Sequence, residues 1–460
     1  MSKTASLDST MTGEELFATC TDTANAEALA LLYGNDVRFD HRRQRFLLWN
    51  QHRWQPDETD EIRRLAIATA RQVYLKAWEM PPGVGRKVAD WAVKSQNRYR
   101  VDSCIAMVKA LHPVADTGES WDANTWLLGV KNGVVDLRTG RLRPGFRDDR
   151  ITMNTGIDFE PEAECPRWLQ FLDEVFEDSD LIDWLHRALG YSLTGDTSEQ
   201  DVFLCYGKGS NGKKVFCQAI EGAMGDYAHT TPFSTFEMHQ RASIPNDLAA
   251  LEFKRFVSSS ETNDSTRLNE ARIKAISGSD RMSARYLHKE YFQFYPHLKL
   301  WLFVNHKPTV RDDSHGFWRR VKLVPFTKTF QGQADDKTLS NKLREEAKGV
   351  LAWLVLGCLK WQQRSIEDMP RCVKEATEAY RTESDVLAGF IAAKCVEHAD
   401  MVAKASDLYS AYREWCLSEG IRERDKEFLT AATFGKRMGE RYTRRKDMNG
   451  RYYEGIGMTA

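Results

Sequence analysis

The rhythm of apolar and polar positions changes several times along the chain, and each change marks a part. Residues 1–150 combine a stretch of helical period, DEIRRLAIATARQVYLKAWEM at 60–80, with aromatic strand-like runs, RFLLWNQHRW and TWLLGVKNGVVDLRTGRLRP. The second run carries turn signals at Asn132-Gly133 and Thr139-Gly140, so this part predicts a small α+β module. Residues 151–199 predict a helical lead-in. Trp168, Leu169, Leu172, Val175 and Phe176 recur at helical spacing after Pro166, and a second helix starts after Asp178-Ser179-Asp180. Over 200–335 short apolar runs, DVFLCY, RFVSSS, LKLWLFVN and RVKLVPF, alternate with helix-like segments, the pattern of a sheet flanked by helices. Residues 336–398 return to a helical period, and GVLAWLVLGCLKWQQ is apolar on nearly every side, which predicts a buried helical collar. From 399 to 460 the order is helix, helix and a hairpin turning at Asn449-Gly450, which suits a winged-helix-like domain.

At 460 residues, 42% hydrophobic and 28% charged, the chain can bury a large core. Its 65 Lys and Arg stand against 66 Asp and Glu, so a polyanion would have to be met by local basic patches rather than by the field of the whole protein. The nine cysteines are scattered without a CxxC pair, several within apolar runs, and read as reduced core residues. No run approaches the ~20 apolar residues of a membrane span, nor has the N-terminus an apolar core of signal length. No membrane partner and a cytoplasmic location are expected.

The run Gly207-Lys208-Gly209-Ser210-Asn211-Gly212-Lys213 follows the strand-like DVFLCY and precedes the helix-like KVFCQAIEGAMG. That context gives the G-x-x-x-x-G-K spacing its meaning. Glycines let backbone N–H groups turn inward, the helix N-terminus adds positive potential, and the lysine reaches the terminal phosphates of a nucleotide. With Lys214 and Val215 these residues are the candidate ATP site. The next position ordinarily supplies a hydroxyl for Mg²⁺, and Lys214 has none. A divalent cation about 4 Å from an ammonium is repelled by about 8 kcal/mol at an effective dielectric of 20, before phosphates compensate. Three outcomes stay open: the ammonium stands in for the metal, it turns away and Mg²⁺ is held weakly, or nucleotide binding fails. The expectation is impaired hydrolysis with some nucleotide affinity.

An ATPase further needs an acid, a polar sensor and a cation for the developing phosphate charge. Glu261 ends KRFVSSSETND and suits metal coordination or activation of water. Asn305 ends LKLWLFVNHKP and could orient water, and Arg319 and Arg320 stand just before the last strand, where one could serve as an arginine finger. Taken singly each has a bland reading, since acids and asparagines often end strands. Their order after a phosphate loop is what raises them to candidates.

The series DVFLCYGKGSNGKKVF, RFVSSSETND, RLNEARIKAISGSDRMSARYLHKEYFQFYPHLKLWLFVNHKP and FWRRVKLVPF resembles the superfamily III helicase domain of the phage and plasmid primase–helicase family, related to poxvirus replicative helicases. The resemblance takes in CPRWLQFLDEVFEDSDLIDWLHRALGYSLTGDTSEQ and the C-terminal tail, about two-thirds of the chain. It implies an AAA+-like P-loop core that forms a ring, usually hexameric, binds ATP and Mg²⁺, translocates on single-stranded DNA and unwinds forked DNA beside replication partners in a bacterial host cytoplasm. Carried over, Lys213 is the loop lysine, Glu261 the Walker B-like acid and metal ligand, Asn305 the sensor, and Arg320 rather than Arg319 the finger acting on a neighbouring subunit. Lys214 departs from the family pattern of Ser or Thr.

Residues 279–296 read as a hairpin with Arg285, His288 and Lys289 near its tip, and in the resembling helicases such a hairpin lines the pore and grips DNA. The tail interleaves Lys436, Arg437, Arg441, Arg444, Arg445, Lys446 and Arg451 with tyrosines. Arg444, Arg445 and Lys446 on the wing suit DNA contacts, and a solubilising or partner-docking surface is the alternative. Residues 1–150 show neither an Asp-x-Asp strand end nor a zinc-ligand cluster, and no primer synthesis is expected. Two other classes compete with the motor. One is a non-hydrolysing, nucleotide-stabilised DNA-binding ring or assembly factor. The other is a small-molecule P-loop kinase, which leaves the hairpin, the paired arginines and the basic tail unexplained.

Overall fold

A computed structural model describes residues 13–238, 246–260, 266–278, 280–285, 290–310, 312, 314–331, 336–423, 428–448 and 450–459. The chain divides into two compact units, the first ending at Phe159 and the second beginning at Glu160.

The first unit holds five helices, α1 (Gly13–Ala18), α2 (Asp22–Tyr33), α3 (Glu61–Ala77), α4 (Pro82–Ser95) and α5 (Arg98–Val108), among the described residues. Strands β1 (Val37–Asp40), β2 (Arg45–Asn50), β3 (Arg53–Pro56) and β4 (Ala115–Asp116) form one sheet in the order β3-β2-β1-β4. The helical stretch expected at 60–80 is α3, whose first turn is capped by the Asp57 carboxylate accepting from the Glu61 and Ile62 N–H groups at 2.8 and 2.9 Å. Leu29, Phe39, Ile62, Val101 and Val108 close the core between helices and sheet. Strands β5 (Leu127–Val130), β6 (Gly133–Asp136) and β7 (Arg141–Arg143) make an antiparallel meander turning at the two predicted sites. The unit runs past residue 150 because the next segment is tied to that meander. Thr155 N–H donates to the Gly129 carbonyl and Lys131 N–H to that of Ile157, at 3.0 and 2.9 Å.

The second unit opens with α6 (Pro166–Phe176) and α7 (Ser179–Leu193), the latter capped by Asp178 accepting from the Asp180 N–H at 2.9 Å. A five-stranded sheet follows: β8 (Val202–Tyr206), β9 (Ala228–Thr230), β10 (Phe256–Ser260), β13 (Lys299–Val304) and β14 (Val321–Pro325). The strands lie in the order β14-β8-β13-β10-β9, with every pairing parallel. Between its strands run α8 (Lys213–Met224), α9 (Asn246–Ala249), α10 (Glu270–Ser277), a hairpin of β11 (Met282–Ala284) and β12 (Phe292–Phe294), and α11 (His315–Trp318). Strands covered on both faces read as unbroken apolar runs, which is why all six residues of β13 are buried.

Helices α12 (Leu339–Glu345), α13 (Ala347–Gln363) and α14 (Arg371–Ser384) complete this layer. The apolar α13 packs along α7 so closely that a Cβ on Gly190 would sit 2.0 Å from the Cys358 nitrogen, and one on Gly357 2.1 Å from the His186 carbonyl. The sequence separates lead-in and collar, yet the two form one layer. Trp301 stacks on Phe203 at 4.1 Å beneath it, and truncating such a ring costs about 3–5 kcal/mol.

The C-terminal part comprises α15 (Val386–Lys394), β15 (Cys395–Lys404), α16 (Ala405–Ser418), α17 (Ala431–Arg441), β16 (Thr443–Asp447) and β17 (Gly450–Met458). Its strands are antiparallel in the order β15-β17-β16, with Asp447 paired to Gly450 across the expected turn; Asn449 lies outside the described residues. Sequence periodicity did not show β15, because seven of its ten residues are exposed and carry no alternation. No helix among the described residues is long and apolar enough to cross a membrane.

Candidate functional site

Strand β8 lies between β13 and β14, and the chain leaves its carboxyl end for a strand at the far edge of the sheet. Such a switch point leaves a crevice, and residues 207–212 line it. Gly209, Ser210 and Gly212 have φ of +93, +46 and +84°, a left-handed run that turns successive N–H groups to the concave side. Gly207 is required by space, since a Cβ there would sit 2.3 Å from the Phe326 carbonyl oxygen. The outer side of the loop is pinned by the Phe330 N–H donating to the Ser210 carbonyl at 2.7 Å. Helix α8 then begins at Lys213 with its first-turn N–H groups facing the crevice.

Lys213 is 7% exposed. Its ammonium donates to the Gly207 carbonyl at 2.5 Å and to Asn305 Oδ1 at 3.1 Å. Both acceptors are neutral. Burial pulls the ammonium below the usual lysine range, partly opposed by the Cys205 thiol. Among the described residues no carboxylate neutralises this ammonium. Asn305, one residue past β13, is thereby brought into contact with the loop lysine.

A cavity of about 310 Å³ opens over the loop, bounded by Gly209 to Val215 and Asn305 on one side. Lys208 lies exposed on the same loop. Lys214 is exposed on the cavity wall and has no hydrogen bond or ion pair among the described residues. The opposite wall comes from residues the sequence reading missed: Arg167, Phe171 and Glu174 of α6, with Phe330, Asp336 and Leu339. Lys342, 2.7 Å away, and Thr338 hold the Asp336 carboxyl well below the usual carboxylate range. The one available signal was the spacing 167, 171, 174, which puts Arg and Glu on the same helical face as a phenylalanine.

Glu261 lies outside the described residues. Among those described, no group of three His, Cys, Asp or Glu side chains could hold a metal ion, and the hydroxyl ordinarily next to the loop lysine is replaced by Lys214. With Lys214 in the place of that hydroxyl and Glu261 outside the described residues, no step below passes through Mg²⁺.

Arg319 and Arg320 stand at the other end of the sheet. Val321 pairs with Val202, the first residue of β8, while the loop follows Tyr206, its last. A five-residue strand separates them, about 16 Å, so within one chain the arginines do not reach the loop. Gln200 Oε1 accepts from both guanidinium groups, from Arg320 at 2.9 Å. Arg320 is half-buried and also donates to the Gly316 carbonyl, and burial with the neighbouring Arg319 lowers its pKa; Arg319 is exposed.

Of the hairpin expected over 279–296, the described strands pair with Met282 opposite Phe294 and Ala284 opposite Phe292. Arg285 stacks 4.9 Å from the Tyr291 ring, and His288 and Lys289 lie outside the described residues. On β16, Arg444, Arg445 and Lys446 are all exposed, and Arg444 folds back on α17 and donates to the Lys436 carbonyl at 3.0 Å. Gly439 leaves the space that its guanidinium fills.

Two family profiles match the chain: D5 N terminal like over residues 26–177, and a family of unknown function, DUF5906, over 205–320. A protein named "Putative helicase" of Acanthamoeba polyphaga mimivirus is 28% identical over 319 residues, 64% of this chain and 33% of that protein. A "Putative helicase" of Frog virus 3 is 28% identical over 384 residues, 65% and 39% of the two chains. A "Putative primase" of African swine fever virus is 25% identical over 324 residues, 65% and 34%. This chain therefore spans about a third of the length of the curated relatives it matches. Among solved structures, the apo C-terminal region of NrS-1 is similar with a TM-score of 0.48 and 10% identity, over 90% of this chain and 84% of that one.

Proposed function

We propose that this chain, a member of the primase–helicase family with a superfamily III type helicase domain, is an ATP-dependent DNA helicase that works as a ring in replication. The observation that carries the reading is Lys213, a buried ammonium with no carboxylate partner among the described residues, set in a left-handed glycine loop at a sheet switch point. The 207–213 amides and Lys213 bind the terminal phosphates of ATP. On binding, Lys213 exchanges the Gly207 carbonyl for phosphate oxygens, and the Asn305 amide it releases is free to orient water. Because Arg319 and Arg320 lie at the opposite end of the sheet from the loop, these two arginines can reach a phosphate only on another copy of the chain. A site shared at a seam between copies is the reason to expect a ring, with an AAA+-like core. The basic hairpin at Arg285 and the exposed Arg445 and Lys446 then contact DNA through phosphates, in a salt-dependent and sequence-independent way. The C-terminal part, a winged-helix-like module in this reading, carries the second contact.

Lys214 favours a second reading. Exposed and, among the described residues, unpaired, in the sequence position that ordinarily serves the metal, it supports a ring that binds ATP and DNA but hydrolyses slowly. Fork unwinding and DNA-stimulated hydrolysis by this chain and its Lys214→Ser variant decide between them. Both proteins are expected to bind ATP, and the serine variant to hydrolyse it at least about tenfold faster, a barrier difference near 1.4 kcal/mol. Equal rates in the presence of Mg²⁺ would remove Lys214 from the account.

A further inference from the structure

Gln200 precedes β8, beside the turn that carries Arg319 and Arg320. Its backbone lies in the left-handed region, with φ of +61°, where glycine or asparagine sits at less cost than a longer side chain. A residue that stands against its backbone preference points to function. Here the side chain has one use. Gln200 Oε1 accepts from Arg319 Nη2 and, at 2.9 Å, from Arg320 Nη2, and among the described residues the amide makes no other hydrogen bond. Only the oxygen of an amide can meet two donors, so the contact fixes which way the group faces.

The backbone on both sides is locked. Gln200 N–H donates to the Thr197 carbonyl at 3.2 Å, and Val202 N–H donates to that of Arg320 at 2.8 Å. The pair of Asp201 and Lys322, 3.1 Å apart, ties the adjoining residues together. The amide oxygen is thereby held at a set place relative to the roots of both arginine side chains. Two guanidinium groups drawn to one oxygen repel each other, and among the described residues neither forms an ion pair. Arg320 Nε is buried with no partner among those residues. Arg319 is exposed and Arg320 half-buried, so an outside anion has access to them. A carboxylate at position 200 would neutralise the two cations, whereas a neutral amide orders them and leaves their charge for an oxyanion.

We infer that Gln200 is a positioning residue that gathers Arg319 and Arg320 into one clamp for a phosphate held by a neighbouring copy of the chain. The inference rests on the shared-site reading above. Gln200 itself makes no contact with nucleotide; it acts through the arginines.

DNA-stimulated hydrolysis by the full chain in the Lys214→Ser background tests this, for Gln200→Asn, Gln200→Glu and the double change Arg319→Ala with Arg320→Ala. Asparagine suits the left-handed backbone, so Gln200→Asn should melt no lower than its parent, yet its side chain is too short to reach both guanidinium groups. Its kcat should fall at least about tenfold with KM within about twofold, the loss expected when a charged, hydrogen-bonded group is misplaced. Gln200→Glu, equal in length but charged, should lose as much by neutralising the clamp. Co-assembled with Lys213→Ala subunits, Gln200→Asn should recover hydrolysis, because its own loop is intact and the arginines then come from the partner. A structural defect passed along β8 into its own loop would not be restored in this way. Parental kcat in Gln200→Asn or Gln200→Glu would overturn the inference, and so would a loss in Gln200→Asn that a mixture shown to co-assemble does not restore. With the double arginine variant inactive, either result removes Gln200 and leaves the shared site standing. A double arginine variant as fast as its parent, or no hydrolysis by the Lys214→Ser chain, would remove both.

Discussion

Lys213 concentrates the chemistry of the site in one atom. Burial lowers its pKa while its two acceptors stay neutral, so an anion placed beside it must raise that pKa again. The sign follows: free protein loses the proton at lower pH than the complex does, so between the two values binding takes up a proton. ATP affinity should fall as pH rises through the free-state value. Titrations in buffers of differing ionisation heat should show that uptake, and a Lys213→Ala variant should not. The loop lysine and Asn305 were legible in the sequence because the glycine spacing and the strand ends fix where they stand. Arg167 and Glu174 were not. Two charged residues on an amphipathic helix look like a solvated face, and only the cap from Glu346, distant in sequence, turns them toward the loop.

At the scale of elements, the starts of β8 and β14 are joined by a buried pair, Asp201 and Lys322 at 3.1 Å, each under 10% exposed. Burial pushes the Asp201 carboxyl up to about 7 against the pull of Lys322. The Lys322 ammonium also donates to the Arg319 carbonyl at 2.6 Å, so the pair holds the turn that presents both arginines. Asp201→Ala leaves a buried ammonium without its counter-ion and should destabilise by about 3–5 kcal/mol in chemical denaturation; Asp201→Leu with Lys322→Met should cost less than the single change. A raised carboxylate pKa contributes stability fully below the ordinary aspartate range and loses it as pH rises through about 7, so the double variant should flatten stability over that window. The apolar strands were readable as runs, but their order was not. The partners β8 and β14 are distant in sequence, and nothing local in VFLCY or VKLVP says that they adjoin.

At the scale of the whole molecule, loop and arginines occupy opposite ends of the sheet, which makes the account one of several copies rather than one. In a Lys214→Ser background, subunits lacking both arginines (Arg319→Ala with Arg320→Ala) and subunits carrying Lys213→Ala should each be inactive alone. Mixed, they should recover part of the DNA-stimulated hydrolysis, because some seams then join an intact loop to intact arginines. No recovery in a mixture shown to co-assemble would remove the shared seam. The sequence reading named the loop and the arginines as candidates, though not their placement at opposite ends of the sheet, which follows from the parallel register.

All three scales depend on the 207–213 loop gripping a triphosphate, and the most direct measurement is ATP affinity by calorimetry for the parent chain and Lys213→Ala. The account predicts saturable binding to the parent, weakened at least about tenfold by the loss of one charge-assisted contact. Equal affinity in the two proteins, or no binding to the parent at all, would contradict it.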